Sequence, residues 1–558
     1  MLLIGLLAFV DQAWGYYNAS SDYSSGALGG SPYQTFQSTD LTPVTLNFNV
    51  FPASVPEAGY LFYAPRGTAV KQPGGQIIDW EGNLVYDASA YGQTMSFQQM
   101  SYQGQDVLGM WVGAFNSGGW GDGYSILLDR TYTQIANMRN SADPAQFQIT
   151  SNNTALITIY SVEQYDLSSY DVTATDGSSG WIIAGYAQEI NVTSGEAIFT
   201  WKSLDHVDPS LCYASPGSTG VSESDPWDYF HINSIEKDSS GNYLISSRHC
   251  HAIYYVSGAD GSILWTLNGM NSSFTMGEGS TFEWQHDARW TVEGQQLTIF
   301  DNAATAWVSN ETEARGLLVN IDTSSMSATL AQAYLPWNAT VSESQGSVQT
   351  QPNGNVLVGW GQTPFFGEYD ANGTLLWSAQ FGVGDVQSYR VLRSNWTGYP
   401  TWSPSISVVS NSSTSSHDVY ASWNGATEVS LWEVLGSASQ DGTYTSLVNS
   451  TKDGFETLSS IPQSQTGGYS FLQVRGVAAN GTVLAPAAYA AMNGTVLSST
   501  STSTGASAAG ASATSAASAA QSAKSSAAGR SEQGMMGMAS MAAWSVVVGG
   551  AAVIVSLY

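Results

Sequence analysis

Runs of apolar residues alternate with polar ones along most of the chain and break off at Asp, Asn, Gly and Ser. Period-two runs bounded by turn residues predict strands rather than helices. One strand–turn–strand pattern recurs six times. It reads Ile78-Asp79-Trp80-Glu81-Gly82-Asn83-Leu84-Val85, Leu128-Asp129-Arg130-Thr131-Tyr132 and Val192-Thr193-Ser194-Gly195-Glu196-Ala197-Ile198-Phe199 in the first half. It returns as Ala259-Asp260-Gly261-Ser262-Ile263-Leu264-Trp265, Ile321-Asp322-Thr323-Ser324-Ser325-Met326 and Tyr369-Asp370-Ala371-Asn372-Gly373-Thr374-Leu375-Leu376-Trp377. The turn centres lie about 50 to 66 residues apart, the range of a four-stranded propeller blade with some long loops. Six blades around a channel would bring several chain segments to one axial site.

After Trp402 the runs come at shorter spacing: Ile406–Val409, Asp418–Trp423, Val429–Leu435 and Tyr469–Val477. The last, followed by Ala479-Asn480-Gly481, has the look of a late strand and hairpin of a fibronectin III-like sandwich. The expected class is therefore all-β: a six-bladed β-propeller over residues 16–401, followed by a fibronectin III-like β-sandwich over 402–496.

The two ends read differently. Residues 2–10 are apolar and small residues follow at Ala13 and Gly15, the layout of a secretory signal over residues 1–15. Residues 497–540 are mostly Ser, Ala, Thr and Gly, a disordered stalk that cannot bury a core. Residues 541–558 are apolar, preceded by small residues Ser526 to Gly529 and a polar spacer. This is a GPI-attachment pattern, with a transmembrane tail as the rival. Asn-x-Ser/Thr sites fall at Asn18, Asn152, Asn191, Asn271, Asn310, Asn338, Asn372, Asn395, Asn411, Asn449, Asn480 and Asn493. Behind a signal they imply a glycosylated protein, secreted and held at the cell surface. In that compartment Cys212 and Cys250 can pair as a disulfide; two cysteines are too few for a zinc site by themselves, so no metal is expected.

Charge narrows the partners. Of 558 residues only 15 are Lys or Arg against 44 Asp or Glu, a net charge of −29. Nucleic acid is excluded as a partner, because a phosphate backbone needs cationic side chains to displace its counterions. Against this background His231, His249, His251 and His286 stand close in sequence to Arg248, Arg289 and Arg315. His231 and His286 each open the first strand of a blade, which lines the channel. Such a cluster points to an anionic substrate.

The strings DPWDYFHINSI, GNYLISSRHCHAIYYV, QHDARW, IFDNA, ARGLLVNID, SVQTQPNGNVLVGWG and YRVLRSNWTGYP, within residues 59–404, resemble the fungal branch of the arylsulfotransferase family. The resemblance implies a six-bladed propeller that moves a sulfuryl group from a phenolic sulfate ester to a phenol, without a nucleotide donor or other cofactor. It also implies a histidine that is transiently sulfated. His231 and His286 are the candidates for nucleophile and acid/base, Arg315 and Arg248 for the sulfuryl oxygens, and Asn233 for orientation. His249 and Asn302 are candidate substrate contacts, and Asp287 and Asp301 candidates for fixing a histidine tautomer. The chain departs from the family's pattern at Ala145-Gln146, where a His-Glu pair is usual, and at Gln345-Gly346-Ser347, where a late-propeller histidine would lie. A catalytically inactive, monomeric surface propeller that binds glycans or small aromatic ligands is the alternative, consistent with 19 Trp and 29 Tyr.

Overall fold

In the computed structural model the described residues are 15–115, 121–138, 143–175, 177 and 179–497. They lie within one compact unit, Met1–Ser499. The expected signal, all but Gly15, the stalk from residue 498 and the apolar tail lie outside them. No helix among the described residues is long and apolar enough to cross a membrane.

Six sheets, each built on four antiparallel strands, follow one another along residues 46–394. The repeated turn has a local cause. All six copies fall between the third and fourth strand of a sheet, as between Ala252–Val256 and Ile263–Leu267. In five of them an aspartate opens the turn and its carboxylate accepts backbone N–H groups just ahead. Asp79 Oδ1 takes those of Glu81 and Asn83, and Asp370 Oδ1 those of Asn372 and Thr374. Asn191 does the same in the third sheet. A side chain that closes its own turn makes the pattern visible in sequence.

The first strand of each sheet touches the first strand of the next, and the series closes on itself. It runs Val391–Ser394, Thr94–Tyr102, Asp143–Ile149, Ile232–Lys237, His286–Val292 and Ser347–Thr350, then back to Val391–Ser394. The architecture is all-β and propeller-like. Separate apolar cores fill the gaps between neighbouring sheets. Trp201, Phe230 and Tyr254 pack between the third and fourth sheets, and Phe282, Leu297 and Leu317 between the fourth and fifth. Closure uses the segments that begin and end the ring. Leu46–Val50 adds to the outer edge of the sixth sheet, and Val391–Ser394 supplies the first strand of the first sheet.

Two further sheets, Ser405–Asn411 with Ser416–Ser422 and Glu456–Pro462, and a five-stranded one over Leu431–Leu497, share a second core around Trp423, Trp432 and Leu472. This part is fastened to the first sheets through polar contacts. Asn424 accepts from Asp87 N at 2.8 Å and donates to Asp87 O at 3.0 Å, while Tyr132 Oη donates to Gly425 O at 2.7 Å.

At the closure, Arg393 of the strand Val391–Ser394 donates to Glu368 Oε2 at 2.8 Å, and both side chains are almost fully buried. Trp377 Nε1 and Asn355 Nδ2 also donate to that carboxylate. Removing one partner of a buried pair leaves the other charged and dehydrated. Glu368→Ala is therefore expected to cost about 3–5 kcal/mol in urea unfolding; a loss below about 1 kcal/mol, the scale of an exposed pair, would contradict this role.

Candidate functional site: a buried guanidinium among imidazoles

One end of the ring gathers the chemistry. It is the end where first strands begin and second strands finish. His231 sits just before Ile232–Lys237, and Arg248, His249, Cys250 and His251 make the turn after Tyr243–Ser247. The fifth sheet adds His286 at its first residue and Asn302 just past Gln296–Asp301. The backbone is bent to deliver them. His231, His251, Trp284, Asp287, Ala303 and Gln345 all hold left-handed φ values, from 49° to 65°. Non-glycine residues in that region store strain, which the surrounding contacts must hold in place.

Asp228 organises the first imidazole. Its Oδ1 accepts the backbone N–H of His231 at 3.0 Å, and its Oδ2 lies 2.5 Å from His231 Nδ1. With the proton on Nδ1, Nε2 keeps its lone pair, and among the described residues the ring's one hydrogen bond is that of Nδ1. His249 Nδ1 donates to the Asp228 carbonyl at 2.7 Å, and the two rings lie 4.7 Å apart. The turn that carries His249 is pinned by the Cys212–Cys250 disulfide and by Tyr213, which donates N–H to His249 O at 2.7 Å and stacks on His251 at 4.1 Å.

Arg248 is 5% exposed. Its NH2 donates to Glu343 O at 2.7 Å, its NH1 meets His249 Nε2 at 3.0 Å, and Nε has no partner. Trp284 and Trp307 flank the guanidinium at 5.6 and 5.9 Å. Unlike Arg289, Arg315, Arg390 and Arg393, it has no carboxylate within ion-pair distance among the described residues. Burial lowers its pKa to about 10, so it stays charged at neutral pH. Burial, reinforced by Arg248, holds His231 and His286 well below the usual imidazole range. Burial does the same to His249, and pushes His251 down to about 3. The result is one buried cation among neutral imidazoles, an arrangement suited to an anion.

His286 is more enclosed. Its Nδ1 lies 2.7 Å from Asn302 Oδ1, and its Nε2 accepts the N–H of Gln345 at 3.2 Å. Asn302 Nδ2 then donates to Ser342 O and Gln345 O, so this pair fixes the loop that offers Glu343 O to Arg248.

Several sequence expectations need correction. Arg315 is held by Asp301, at 2.5 Å, and by Thr281 O. Asp301, raised to about 6 by burial, therefore serves Arg315 and fixes no histidine tautomer. Asp287 likewise takes Arg289 at 2.9 Å and Arg390 at 3.2 Å. A carboxylate beside arginines pairs with them first, because a permanent cation is the stronger partner. Asn233 donates to Gln285 O at 2.6 Å, and its Oδ1 is buried without a partner. The tautomer-fixing groups are Asp228 and Asn302 instead. Asp228 was legible as Asp-x-x-His, three residues before His231. Glu343 acts through its backbone carbonyl and leaves no trace in residue type.

Asp228, His231 and His249 also bring ligand-type atoms within 4.8 Å of one another. The guanidinium 3.0 Å from His249 Nε2 disfavours a cation there and favours an anion.

Fold and site together define an all-β, propeller-like protein with an anion-attracting site at one mouth. Residues 98–382, half of the chain, match the family described as Arylsulfotransferase (ASST), and the chain belongs to that family. The matched segment contains every site residue from Asp228 to Gln345. No curated protein sequence matches the chain. Solved structures that resemble it include a protein of unknown function from Bacteroides caccae (12% identity, 60% of this chain and 99% of that one, TM-score 0.34). Another is a protein from Lactobacillus plantarum (9% identity, 60% and 99%, TM-score 0.33). A third is apo AztD from Citrobacter koseri (9% identity, 61% and 98%, TM-score 0.29). These similarities are too low to carry an argument.

The neutral imidazoles predict a pH signature. An unfolded histidine takes up a proton near pH 6.5, whereas His251 in the fold resists until about 3. Below pH 6.5 the unfolded chain binds more protons, so stability falls as pH falls. Between pH 7 and 5 the wild type should lose about 2 kcal/mol more than His251→Asn. Urea unfolding at the two pH values measures this; equal losses would contradict the assignment.

Proposed function

We propose that this arylsulfotransferase-family chain is a sulfuryl-transfer enzyme, secreted and held at the cell surface. The observation that carries the reading is Arg248: buried, charged, without a carboxylate at ion-pair distance among the described residues, and bonded to His249, whose ring lies 4.7 Å from that of His231. In the proposed reaction His231 Nε2 attacks the sulfur of a phenolic sulfate ester. The N–S bond forms as the S–O(aryl) bond breaks, and the phenolate leaves with the electron pair. Arg248 balances the charge of the sulfuryl oxygens. Asp228, whose pKa burial raises, takes up the Nδ1 proton as the ring is sulfated. A phenol oxygen then attacks sulfur and the N–S electrons return to Nε2; Asp228 gives its proton back to Nδ1, and the acceptor phenol's proton passes to the departed phenolate. His286 and His249 are the remaining acid/base candidates.

The six closed sheets support a six-bladed propeller, and the two-sheet unit over residues 405–497 supports a fibronectin III-like sandwich. Secretion is supported by the Cys212–Cys250 disulfide and by the twelve Asn-x-Ser/Thr sites, none of which is buried. Anchoring through a GPI group or the apolar tail rests on the sequence alone. A second reading, a surface protein that binds without turnover, is favoured by His286, whose Nε2 is already engaged by Gln345.

The test is acceptor-dependent release of p-nitrophenolate from p-nitrophenyl sulfate. Sustained release should require a phenol, with no more than about one equivalent per protein freed without it, and His231→Ala and Arg248→Ala should each lose about hundredfold or more in rate. Folded wild type that releases none across several donors and acceptors would overturn turnover in favour of binding.

A further inference from the structure

Trp307 is 63% exposed, an unusual position for the largest apolar side chain. It is not on a loose loop. Thr305 Oγ1 accepts the N–H groups of Trp307 and Val308 at 3.1 and 3.0 Å, Thr305 N donates to Val308 O at 2.6 Å, and Ala304 bridges to Ser309. This tight turn holds the indole beside the site. Its ring lies 6.2 Å from His249, 6.1 Å from the buried Trp284 and 5.9 Å from the Arg248 guanidinium. One part of the indole thus packs on the anion site while much of it stays open to solvent.

We propose that Trp307 is a specificity-determining residue: its open face stacks on the flat ring of a ligand whose anionic head reaches Arg248. The inference rests on the sulfuryl-transfer reading of the site. The geometry separates two tasks. Arg248 recognises the charged head and is indifferent to what carries it. Trp307 rewards a planar aromatic body, because ring-on-ring stacking adds to simple burial. An alkyl sulfate of similar size can reach the same guanidinium but offers no ring. Trp284, buried behind, supports the indole edge-on, with the two rings 80° apart.

The experiment is equilibrium binding, by calorimetry, of p-nitrophenyl sulfate, hexyl sulfate and inorganic sulfate to the full chain. Wild type is compared with Trp307→Ala, Trp307→Phe and Arg248→Ala. Trp307→Ala should weaken p-nitrophenyl sulfate about three- to tenfold and leave hexyl sulfate and sulfate within about twofold. Trp307→Phe should recover most of the loss, and Arg248→Ala should weaken all three. An unchanged affinity for p-nitrophenyl sulfate in Trp307→Ala, or an equal loss for hexyl sulfate, would overturn the role of Trp307 while leaving the anion site standing. Wild type that binds none of the three would overturn the site itself, and this inference with it. Because Trp307 is exposed, the thermal midpoint of Trp307→Ala should match wild type and confirms that a weakened variant is folded.

Discussion

The site depends on burying one guanidinium without giving it a carboxylate. Dehydrating a cation is expensive, and proteins usually offset the cost with an ion pair. Arg248 receives a carbonyl from Glu343, an imidazole nitrogen from His249 and the faces of two tryptophans, but no counter-charge at bonding distance. These partners fix its position and leave its charge uncompensated. The Asp228 carboxylate, on the same stretch of chain as His231, is turned to the backbone and ring of that residue. Burial holds the surrounding histidines neutral and the Arg248 charge adds to that effect, so the cation that would draw an anion stands among uncharged imidazoles.

Keeping that charge in place requires a rigid ring. Each first strand packs on its neighbours, and the segments Leu46–Val50 and Val391–Ser394 complete the sheets where the circle closes. The loop bearing Glu343 enters the sixth sheet and is fixed by His286 and Asn302 from the fifth, while Arg248 comes from the fourth. Three consecutive sheets therefore meet at one guanidinium. A protein with independent sheets could not hold this geometry against the strain of six left-handed residues at the same end.

The fold was legible where its cause is local. The Asp-opened turns recur because each carboxylate closes its own loop, so residue type and spacing reveal them directly. The placing of His231, Arg248, His249 and His286 at one mouth follows from their position at the ends of first and second strands. Partnerships were less legible. Charge and the family resemblance marked Arg315, Asp287 and Asp301 as site residues, yet sheet register sets Asp301 opposite Arg315 and pairs the two with each other. Asp287 is consumed by Arg289 and Arg390 in the same way. Asp228 was overlooked although it stands three residues from His231. Contacts through backbone, such as Glu343 O and Gln345 N, have no side-chain signature to find.

The most direct measurement is the anomalous diffraction of crystals of this protein soaked in selenate, an isostere of sulfate. The account places a selenium peak within hydrogen-bonding distance of the Arg248 guanidinium, between His231 and Trp307, and removes it in Arg248→Ala. A site that leaves selenate unbound and instead takes a divalent metal between Asp228, His231 and His249 would contradict it.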